Sequence, residues 1–355
     1  MAKVSYIKIG IEVTIQPETL RFPQSLWESM VSGTKEVGIM AGSGEILRIF
    51  PDYLRDKWKA VAQKADRLQE IRLRVQREIV VILDGKEFFL DKRGQIVQDI
   101  SVADKMEGQD MDAILNHVCD YSLYAFADEM RQGFLTIPGG HRVGIAGQVI
   151  LEKEGHIRNM KHICYMNIRI SHEIKGAADK AMPHIYENGR LQDILLISPP
   201  GCGKTTLLRD MVRQISDGNR FGEGMNVAVV DERSEIAGCY MGCPQNDVGR
   251  RTDVLDCCPK ALGMMMLIRS MSPQAIAVDE LGGEEDVKAV CQVLQCGSRI
   301  IATMHGDSLE DVMEKDFFRD LRERKIFGRY ILLEKKDGKC KISAIYDRSF
   351  RVCCV

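Results

Sequence analysis

Short apolar runs alternate with longer amphipathic segments along the second half of the chain. Each run holds four residues, which suits a buried strand and is too short for a helix, and turn-forming or polar positions bound it. The runs occupy residues 194–197, 227–230, 275–278 and 300–303. This alternation predicts an α/β fold with a mainly parallel sheet covered by helices on both faces. Residues 330–333 and 342–346 flank a polar turn and predict an antiparallel hairpin appended to that sheet.

The first half of the chain has a different pattern. Apolar residues alternate with Arg72 and Arg74 over residues 71–75, which predicts a half-buried strand. Asp84-Gly85 separates two apolar runs and predicts a tight hairpin turn. The other predicted elements are a helix after Pro51, strands at 79–83 and 86–90, a helix over about 110–121, and β segments at 134–148 and 165–171. This mixture predicts an α+β domain.

The two patterns divide the chain into predicted domains. An N-terminal α+β accessory domain is expected over residues 1–175, of which 1 to about 65 carry little pattern apart from the helix after Pro51. A linker is placed at 176–190, where Gly, Ala and Pro concentrate. Residues 191–355 are then the α/β core with its C-terminal hairpin. The length of 355 residues agrees with about two domains.

Composition and charge narrow the class of protein. The chain is 45% hydrophobic and 28% charged with a formal net charge of −2, so it lacks the basic balance of a dedicated nucleic-acid binder. Lys3, Lys8 and Glu12 interrupt the apolar runs at the N-terminus, and no signal-peptide core forms. The longest uncharged apolar stretch, residues 262–268, is too short to span a membrane. We therefore expect a cytoplasmic protein that reaches any membrane through a partner.

Twelve cysteines are scattered through the chain and are expected to be reduced thiols. Cys239, Cys243, Cys257 and Cys258 come nearest to a metal cluster. Their spacing lacks the paired C-x₂-C of zinc folds, so no zinc site is expected there.

A phosphate-binding loop follows the run at 194–197. The pattern G-x-x-x-x-G-K-[ST] is met at each fixed position except the first, where Ser198 replaces glycine. Its glycines let successive backbone N–H groups point at one anion, and the helix that follows adds its positive end. Lys204 is expected to reach the β- and γ-phosphates of ATP, and the Thr205 hydroxyl to bind Mg²⁺. The expected nucleotide-binding residues here are Ser198, Pro199, Pro200, Gly201, Cys202, Gly203, Lys204, Thr205 and Thr206. A glycine-rich turn that merely joins a strand to a helix is the alternative.

Two apolar strands end in a pair of acids, at the carboxyl end where open α/β sheets bind ligands. In the pair Asp279-Glu280, Asp279 suits Mg²⁺ coordination and Glu280 suits polarisation of the water that attacks the γ-phosphate. The pair Asp231-Glu232 has the same pattern, so Glu232 is an alternative base. We favour Glu280 because its strand follows a long helix and is expected directly beside the phosphate-loop strand. Asp231 and Glu232 would then flank the site, near Mg²⁺ through water or facing a neighbouring subunit.

Thr303 and His305 end the next apolar strand. Their position places them to sense the γ-phosphate, and a solvated strand end is the alternative for His305.

Together these motifs resemble the RecA-like branch of P-loop NTPases that includes secretion and pilus-motor ATPases. Residues 278–280, 302–305 and 230–232 resemble its acid strand, histidine box and aspartate box. Residues 70–74 and 140–147 resemble its accessory domain.

That resemblance implies roles for arginines outside the phosphate loop. Arg142 and Arg169 would contact the γ-phosphate from the first domain when a hinge closes. A local pair for Arg142 and a solvated strand end for Arg169 are the alternatives. Arg250 or Arg251, in a polar loop, would complete the site of an adjacent subunit, as motor ATPases do.

The longest resemblance is to a narrower group, the stage III sporulation protein AA family of endospore-forming bacteria. It is carried by residues 133–142 together with residues 199–210. It implies a mother-cell ATPase that powers or gates a channel complex into the forespore, as a homo-hexamer docked on membrane proteins. A nucleic-acid motor with the same core is one alternative, against which the mixed charges at 316–324 and the lack of a basic stripe argue. A nucleotide-dependent scaffold with little turnover is another.

Overall fold

Two β-sheets organise the protein in the computed structural model, which describes residues 41–123, 126–152, 157–336 and 339–354. The expectations drawn from Lys3, Lys8 and Glu12 lie outside the described residues. The α-helices are α1 (Ala41–Arg48), α2 (Arg55–Ala62), α3 (Gly108–Val118), α4 (Ala127–Arg131), α5 (Lys204–Asp217), α6 (Lys260–Met271), α7 (Glu284–Gln295), α8 (Leu309–Met313) and α9 (Arg319–Glu323). Short 3-10 helices occupy Asp52–Leu54, Ile100–Val102, Met182–His184 and Asp316–Phe318.

The strands follow in chain order. In the first half they are β1 (Leu68–Arg74), β2 (Val80–Leu83), β3 (Lys86–Leu90), β4 (Ile96–Val97), β5 (Phe134–Ile137), β6 (His141–Leu151) and β7 (Ile157–Arg169). In the second half they are β8 (Tyr186–Glu187), β9 (Arg190–Leu191), β10 (Ile194–Ser198), β11 (Val227–Asp231), β12 (Thr252–Asp256), β13 (Ala275–Val278), β14 (Arg299–His305), β15 (Arg329–Lys336), β16 (Lys339–Asp347) and β17 (Val352–Cys354).

The first sheet is antiparallel throughout, in the order β4-β3-β2-β1-β7-β6-β5. Ile71 and Leu73 of β1 are fully buried while Arg72 and Arg74 are half-buried, which confirms the predicted alternation. The sheet packs its apolar face against α1 to α4 and forms one core with them. Phe50 and Trp58 stack in that core with ring centroids 4.0 Å apart. The region is thus the predicted α+β arrangement of hairpins and a few helices.

The second sheet has the order β12-β11-β13-β14-β10-β15-β16-β17. The first six strands of this order, from β12 at the edge through β15, are parallel to one another. The last two, β16 and β17, are antiparallel to their neighbours. One apolar cluster covers the face toward α5 and another covers the face toward α6 and α7. This confirms the predicted parallel sheet with helices on both faces and the appended hairpin. Strand β12 was not predicted from the sequence, because its residues are mostly polar and only partly buried.

The strand order corrects one expectation. The sequence pattern places the acid strand β13 directly beside the phosphate-loop strand β10, but β14 lies between them and pairs with both. The carboxyl ends of β13, β14 and β10 therefore adjoin one another in that order. As a result the polar end of β14 stands between the acids and the phosphate loop.

The segment predicted as a linker contributes to the second core. Ala178, Ala181, Met182 and Ile185 are at most 1% exposed and belong to the apolar cluster beside α5. The limits 176–190 stay a prediction, but the packing shows that this segment is held against the α/β core. Within the described residues, no helix combines the length and apolar character needed to cross a membrane.

Candidate functional site

The predicted phosphate loop, residues 199–203, joins the end of β10 to the start of α5. Gly201 and Gly203 have φ angles of 68° and 72°, in the left-handed region that glycine adopts without strain. Gly203 is the N-cap of α5 and its position leaves the first-turn N–H groups without a side-chain cap. Ser198 is the last residue of β10 and lies in strand conformation, which explains why a serine is accepted where the consensus has glycine. The loop therefore presents free backbone donors at the positive end of a helix, as an anion site requires.

Lys204 is the first residue of α5 and its side chain is only 5% exposed. Its ammonium lies 3.5 Å from Glu280 Oε1 and 3.7 Å from Asp279 Oδ1. A buried charge is tolerated where opposite charges face it. The two acids after β13 thus meet the lysine of the phosphate loop.

Thr205 and Asp279 form the oxygen donor set that Mg²⁺ would use. The Thr205 hydroxyl donates to Asp279 Oδ2 at 2.9 Å, and the Thr303 hydroxyl donates to Asp279 Oδ1. Mg²⁺ in nucleotide sites is commonly held by one or two protein oxygens plus phosphates and water. Among the described residues no group of three or more His, Cys, Asp or Glu is arranged to hold a metal ion, and a nucleotide-linked Mg²⁺ needs none.

Glu280 sits at a sharp change of chain direction with φ of 52°. Its backbone N–H donates to Thr303 Oγ1 at 2.8 Å, and the next N–H donates to the Thr303 carbonyl at 2.8 Å. These bonds aim the carboxylate at three cations or donors, namely Lys204, His305 at 2.8 Å and Arg233 at 3.7 Å. Burial by itself raises the pKa of Glu280, but Lys204, His305 and Arg233 together bring it below its ordinary value. Glu280 is therefore ionised at neutral pH.

His305 links the end of β14 to this cluster. Its Nε2 lies 2.8 Å from Glu280 Oε1 and its Nδ1 lies 3.4 Å from the carbonyl of Ser198. The ring therefore spans the acid strand and the entrance of the phosphate loop. The role expected for His305 toward the γ-phosphate stays a prediction.

The second acidic pair has a different environment. Asp231 is 1% exposed and accepts three backbone hydrogen bonds, from the N–H groups of Glu235, Ile236 and Ala237, at 2.8 to 2.9 Å. Burial raises its pKa to about 6 against the opposing effect of those bonds. Glu232 pairs with Lys260 on α6. The Asp231 carboxylate therefore holds the segment 235–237. The expectation that Asp231 and Glu232 flank the site, near Mg²⁺ through water or facing a neighbouring subunit, stays a prediction.

Two arginines of the first domain lie across from the phosphate loop. Arg142 and Arg169 are directly opposite each other on β6 and β7. They line a pocket of about 250 Å³ together with Thr205, Thr206 and Arg209 of α5. The structure therefore brings both predicted arginines to the phosphate-loop helix.

Arg142 is already engaged across the domain boundary. Its guanidinium donates to Glu235 Oε1 at 2.5 Å and to the Arg233 carbonyl at 3.3 Å, and it lies 3.8 Å over the Phe134 ring. Burial lowers the pKa of Arg142, with Arg169 and Arg233 adding to that effect and Glu235 opposing it. Positive charge is thus concentrated beside the pocket and partly neutralised by one carboxylate.

Three residues of this network, Arg209, Glu235 and Arg233, are not predicted by any sequence motif. Arg209 donates to the carbonyls of Ile236 and Glu235 at 2.6 and 2.7 Å. Glu235 forms an ion pair with Arg142, and Arg233 forms one with Glu280. The signal for Arg233 was its position next to Asp231-Glu232. Arg209 lies on an amphipathic helix, where an arginine usually indicates a solvated face.

Arg250 and Arg251 lie at the other edge of the sheet. They precede β12, which runs parallel to β11, so they stand at the amino ends of the strands while the phosphate loop stands at the carboxyl ends. Arg251 donates to the carbonyls of Ser216 and Asp217 at 2.9 and 3.3 Å, at the C-terminus of α5. Arg250 pairs with Asp217 and its side chain is 78% exposed. Neither arginine reaches the phosphate loop of its own chain. The predicted role of Arg250 or Arg251 therefore requires the site of a neighbouring subunit.

Comparison with known proteins agrees with this geometry. The family model described as "Sporulation stage III, protein AA" matches residues 40–352. The chain is 38% identical over 309 residues to the protein named "Stage III sporulation protein AA" of Bacillus subtilis (strain 168), an alignment that covers 87% of this chain and 96% of that protein.

Two solved structures share the fold. The ATPase DotB of Legionella pneumophila matches with a TM-score of 0.54 at 13% identity. The match covers 82% of this chain and 80% of the DotB chain. The pilus retraction motor PilT with bound ADP has a TM-score of 0.51 at 16% identity, with 80% of each chain covered. At such identities the likeness concerns the fold. It confirms the predicted fold class, a RecA-like α/β core with a mainly parallel sheet behind an α+β domain.

The different environments of Asp231 and Glu232 lead to a prediction about stability. Asp231→Ala leaves three backbone N–H groups without their acceptor and is expected to lower the free energy of unfolding by about 2–4 kcal/mol. Glu232→Ala, the matched control in the next position, removes a partly exposed ion pair and is expected to cost less than about 1 kcal/mol. Urea unfolding of both variants measures the difference. Equal losses would mean that Asp231 does not hold the segment 235–237.

Proposed function

We propose that this chain, which belongs to the sporulation stage III protein AA family, binds ATP with Mg²⁺ at its phosphate loop and hydrolyses the γ-phosphate. The observation that carries the proposal is the meeting of Lys204, Thr205, Asp279 and Glu280 at the carboxyl ends of β10, β14 and β13. A lysine, a hydroxyl and two carboxylates in this arrangement supply a phosphate clamp, metal oxygens and a base. The uncapped N-terminus of α5 supports the same reading because it adds backbone donors for the phosphates.

Each residue has a distinct task in the proposed reaction. The backbone of residues 199–203 and the Lys204 ammonium hold the β- and γ-phosphates. Thr205 and Asp279 would hold Mg²⁺, whose charge helps to neutralise the phosphates when bound. Glu280, ionised and oriented by His305, accepts a hydrogen bond from the water that attacks the γ-phosphorus. Transfer of the phosphoryl group to that water leaves ADP and phosphate.

The first domain is proposed to respond to the γ-phosphate. Arg142 and Arg169 lie on neighbouring strands of the first sheet and line the same pocket as Thr205 and Thr206 of the second domain. A γ-phosphate near that pocket offers Arg142 an acceptor in place of Glu235, and it offers Arg169 a counter-charge. Binding of ATP would thus draw the first domain onto the phosphate loop, and loss of phosphate would release it.

At the level of assembly and cell biology the proposal rests on the family. We propose a homo-hexamer on the mother-cell side that acts through membrane proteins of a sporulation channel and converts hydrolysis into movement of that complex. In such a ring Arg250, which is exposed and pairs with Asp217, would approach a neighbouring subunit more readily than Arg251, which is held against α5. A scaffold with little turnover would bind ATP at the same loop, and the rate of hydrolysis separates the two.

Lys204→Ala tests the phosphate loop. The variant loses a charge-assisted contact worth about 1.5–3 kcal/mol, so its affinity for ATP is expected to fall about 10- to 100-fold and hydrolysis to fall below detection. Fluorescent-nucleotide titration and phosphate release measure the two effects. Lys288→Ala, which alters an exposed lysine of α7, is the control and should bind ATP normally. Parental turnover in the Lys204 variant would remove the basis of the proposal.

Glu280→Gln and Glu232→Gln distinguish the two candidate bases. Glu280→Gln keeps the shape of the side chain but removes the base, so kcat is expected to fall about 10²- to 10⁴-fold with ATP affinity retained. Glu232→Gln should change kcat by less than about threefold, because Glu232 is paired with Lys260 at the start of α6. Single-turnover kinetics decide the question, and a larger loss from Glu232→Gln would transfer the role to that strand.

Arg142→Ala and Arg169→Ala test the response of the first domain. Each arginine is expected to contribute about 1.5–3 kcal/mol to ATP binding and almost nothing to ADP binding, because the contact needs the γ-phosphate. The ratio of ATP to ADP affinity should therefore fall about 10- to 100-fold, as calorimetry with a non-hydrolysable analogue would show. Arg158→Ala, an exposed arginine of the same strand β7, is the control. Loss of both affinities in equal measure, or of neither, would mean that these side chains do not recognise the γ-phosphate.

A further inference from the structure

Two cysteine thiols meet at the phosphate loop. Cys202 lies inside the loop between Gly201 and Gly203, and Cys340 lies on β16 of the appended hairpin. Their Sγ atoms are 2.7 Å apart, although the two residues are 138 positions apart in the chain. The closeness is produced by the fold, since β16 reaches the loop only through its pairing with β15, the neighbour of β10.

The surroundings of the two thiols differ in a way that suits stepwise oxidation. Cys202 is 2% exposed, whereas Cys340 is exposed to solvent. Lys335 of β15 is the partner of Cys340 across the strand pair. The backbone of the loop is also close, because a Cβ placed on Gly203 would lie 3.3 Å from the Cβ of Cys340 and 3.4 Å from its Sγ. Cys340 is thus packed directly against the phosphate loop, and it is the more solvent-exposed residue of the pair.

We propose that Cys202 and Cys340 form a reversible disulfide that fastens the phosphate loop to the β15–β16 hairpin and suppresses nucleotide turnover until it is reduced. The effect on turnover rests on the proposed function, whereas the disulfide itself does not. The other thiols of the described chain are spread over both domains, and the scattered positions of the cysteines predict reduced thiols. This pair is distinguished by the contact of its two sulfurs, and Cys202 alone belongs to the phosphate loop.

A low-molecular-weight disulfide is the oxidant in this proposal. The Cys340 thiolate attacks one sulfur of that compound, which breaks its S–S bond, releases one thiol and leaves a mixed disulfide on Cys340. The Cys202 thiolate then attacks Cys340 Sγ, and the second small thiol leaves. Two protein thiols are oxidised, one small disulfide is reduced, and the two protons from the protein thiols end on the two released thiols. Excess small thiol reverses both steps.

The pKa of Cys340 sets the speed of the reaction. Cys340 is exposed as a residue, but its thiol is partly desolvated against the phosphate loop. This desolvation and the neighbouring Cys202 thiol raise that pKa well above its ordinary value, while Lys335 opposes the effect. The thiol form predominates at neutral pH and the thiolate is the reactive form, so oxidation is expected to be slow and to accelerate about tenfold per pH unit below that pKa. This pH dependence of the oxidation rate differs from that of a low-pKa catalytic cysteine, whose oxidation rate would hardly change above pH 7.

The disulfide is expected to impair the phosphate cradle through geometry. Formation of the bond draws the two sulfurs from 2.7 Å to about 2.05 Å, and it ties Cys202 to a strand of the sheet. The N–H groups of the loop lie on either side of Cys202 and must be free to converge on a phosphate. Since misplacement of reacting groups by about 1 Å can cost 100-fold in rate, a loss of turnover on the order of tenfold or more is expected in the oxidised protein.

The experiment treats the full-length, reduced protein with oxidised glutathione at several pH values and maps its disulfides by non-reducing peptide mass spectrometry. The expected result is a Cys202–Cys340 linked peptide that grows faster at higher pH and disappears with dithiothreitol. Absence of that linked peptide at all pH values, with other cysteines modified, would overturn the proposal. This readout needs no nucleotide, so a protein with no ATPase activity would contradict the proposed function and leave the disulfide testable.

Variants connect the disulfide to turnover. Phosphate release by the parental protein should fall at least tenfold on oxidation and recover on reduction. Cys340→Ser, which lies outside the phosphate loop, should have parental activity that oxidation leaves unchanged. Cys296→Ser, which alters another exposed cysteine, is the matched control and should stay sensitive. Equal sensitivity of Cys340→Ser and the parent would show that the inhibition arises elsewhere and overturn the proposed effect on turnover.

Discussion

The buried ammonium of Lys204 is the constraint on which the candidate site depends. A charge at 5% exposure is stable only where opposite charges and hydrogen-bond acceptors surround it. The parallel order of β13, β14 and β10 meets that need, because it gathers the carboxyl ends of three strands at one edge. Asp279 and Glu280 then face the lysine, while Thr303 of the intervening strand holds the turn that orients them. Replacement of any one of these groups alters the charge balance of the others.

The second consequence of this edge is that the first domain can take part in the site. Arg142 and Arg169 approach α5 from the antiparallel sheet, and Glu235 neutralises Arg142 at close range. Glu235 belongs to a segment that Asp231 holds by three backbone hydrogen bonds and that Arg209 contacts through its carbonyls. The arginines are thus supported by the α/β core although they are carried by the other sheet. An anion bound at the phosphate loop would interact with side chains of both domains. This shared interaction is a physical basis for coupling between anion binding and the relative position of the two domains.

The two acidic pairs show how one local pattern serves two purposes. Asp231 and Asp279 both end a buried parallel strand and both precede a glutamate. Asp279 accepts a hydrogen bond from Thr205 and lies 3.7 Å from the Lys204 ammonium. Asp231 turns back onto its own loop, where burial raises its pKa. The difference comes from strand order, since β11 lies farther from β10 than β13 does, and the pattern at a strand end carries no information about the neighbours of that strand.

Much of the fold, and the strand, turn and helix around residues 194–217, was predictable from the sequence, because those features are set by local spacing. Apolar runs of four residues, the Gly201-Cys202-Gly203 turn and the alternation around Arg72 depend on residues close together in the chain, and the structure confirms those strands, the hairpin and the parallel sheet. The tertiary structure alone decided which strands are neighbours, that β14 separates β13 from β10, and that Asp231 holds a loop. It also brought Cys340 to Cys202 across 138 residues. These contacts join residues far apart in sequence, and their geometry follows from sheet order and packing, which no short window of the chain contains.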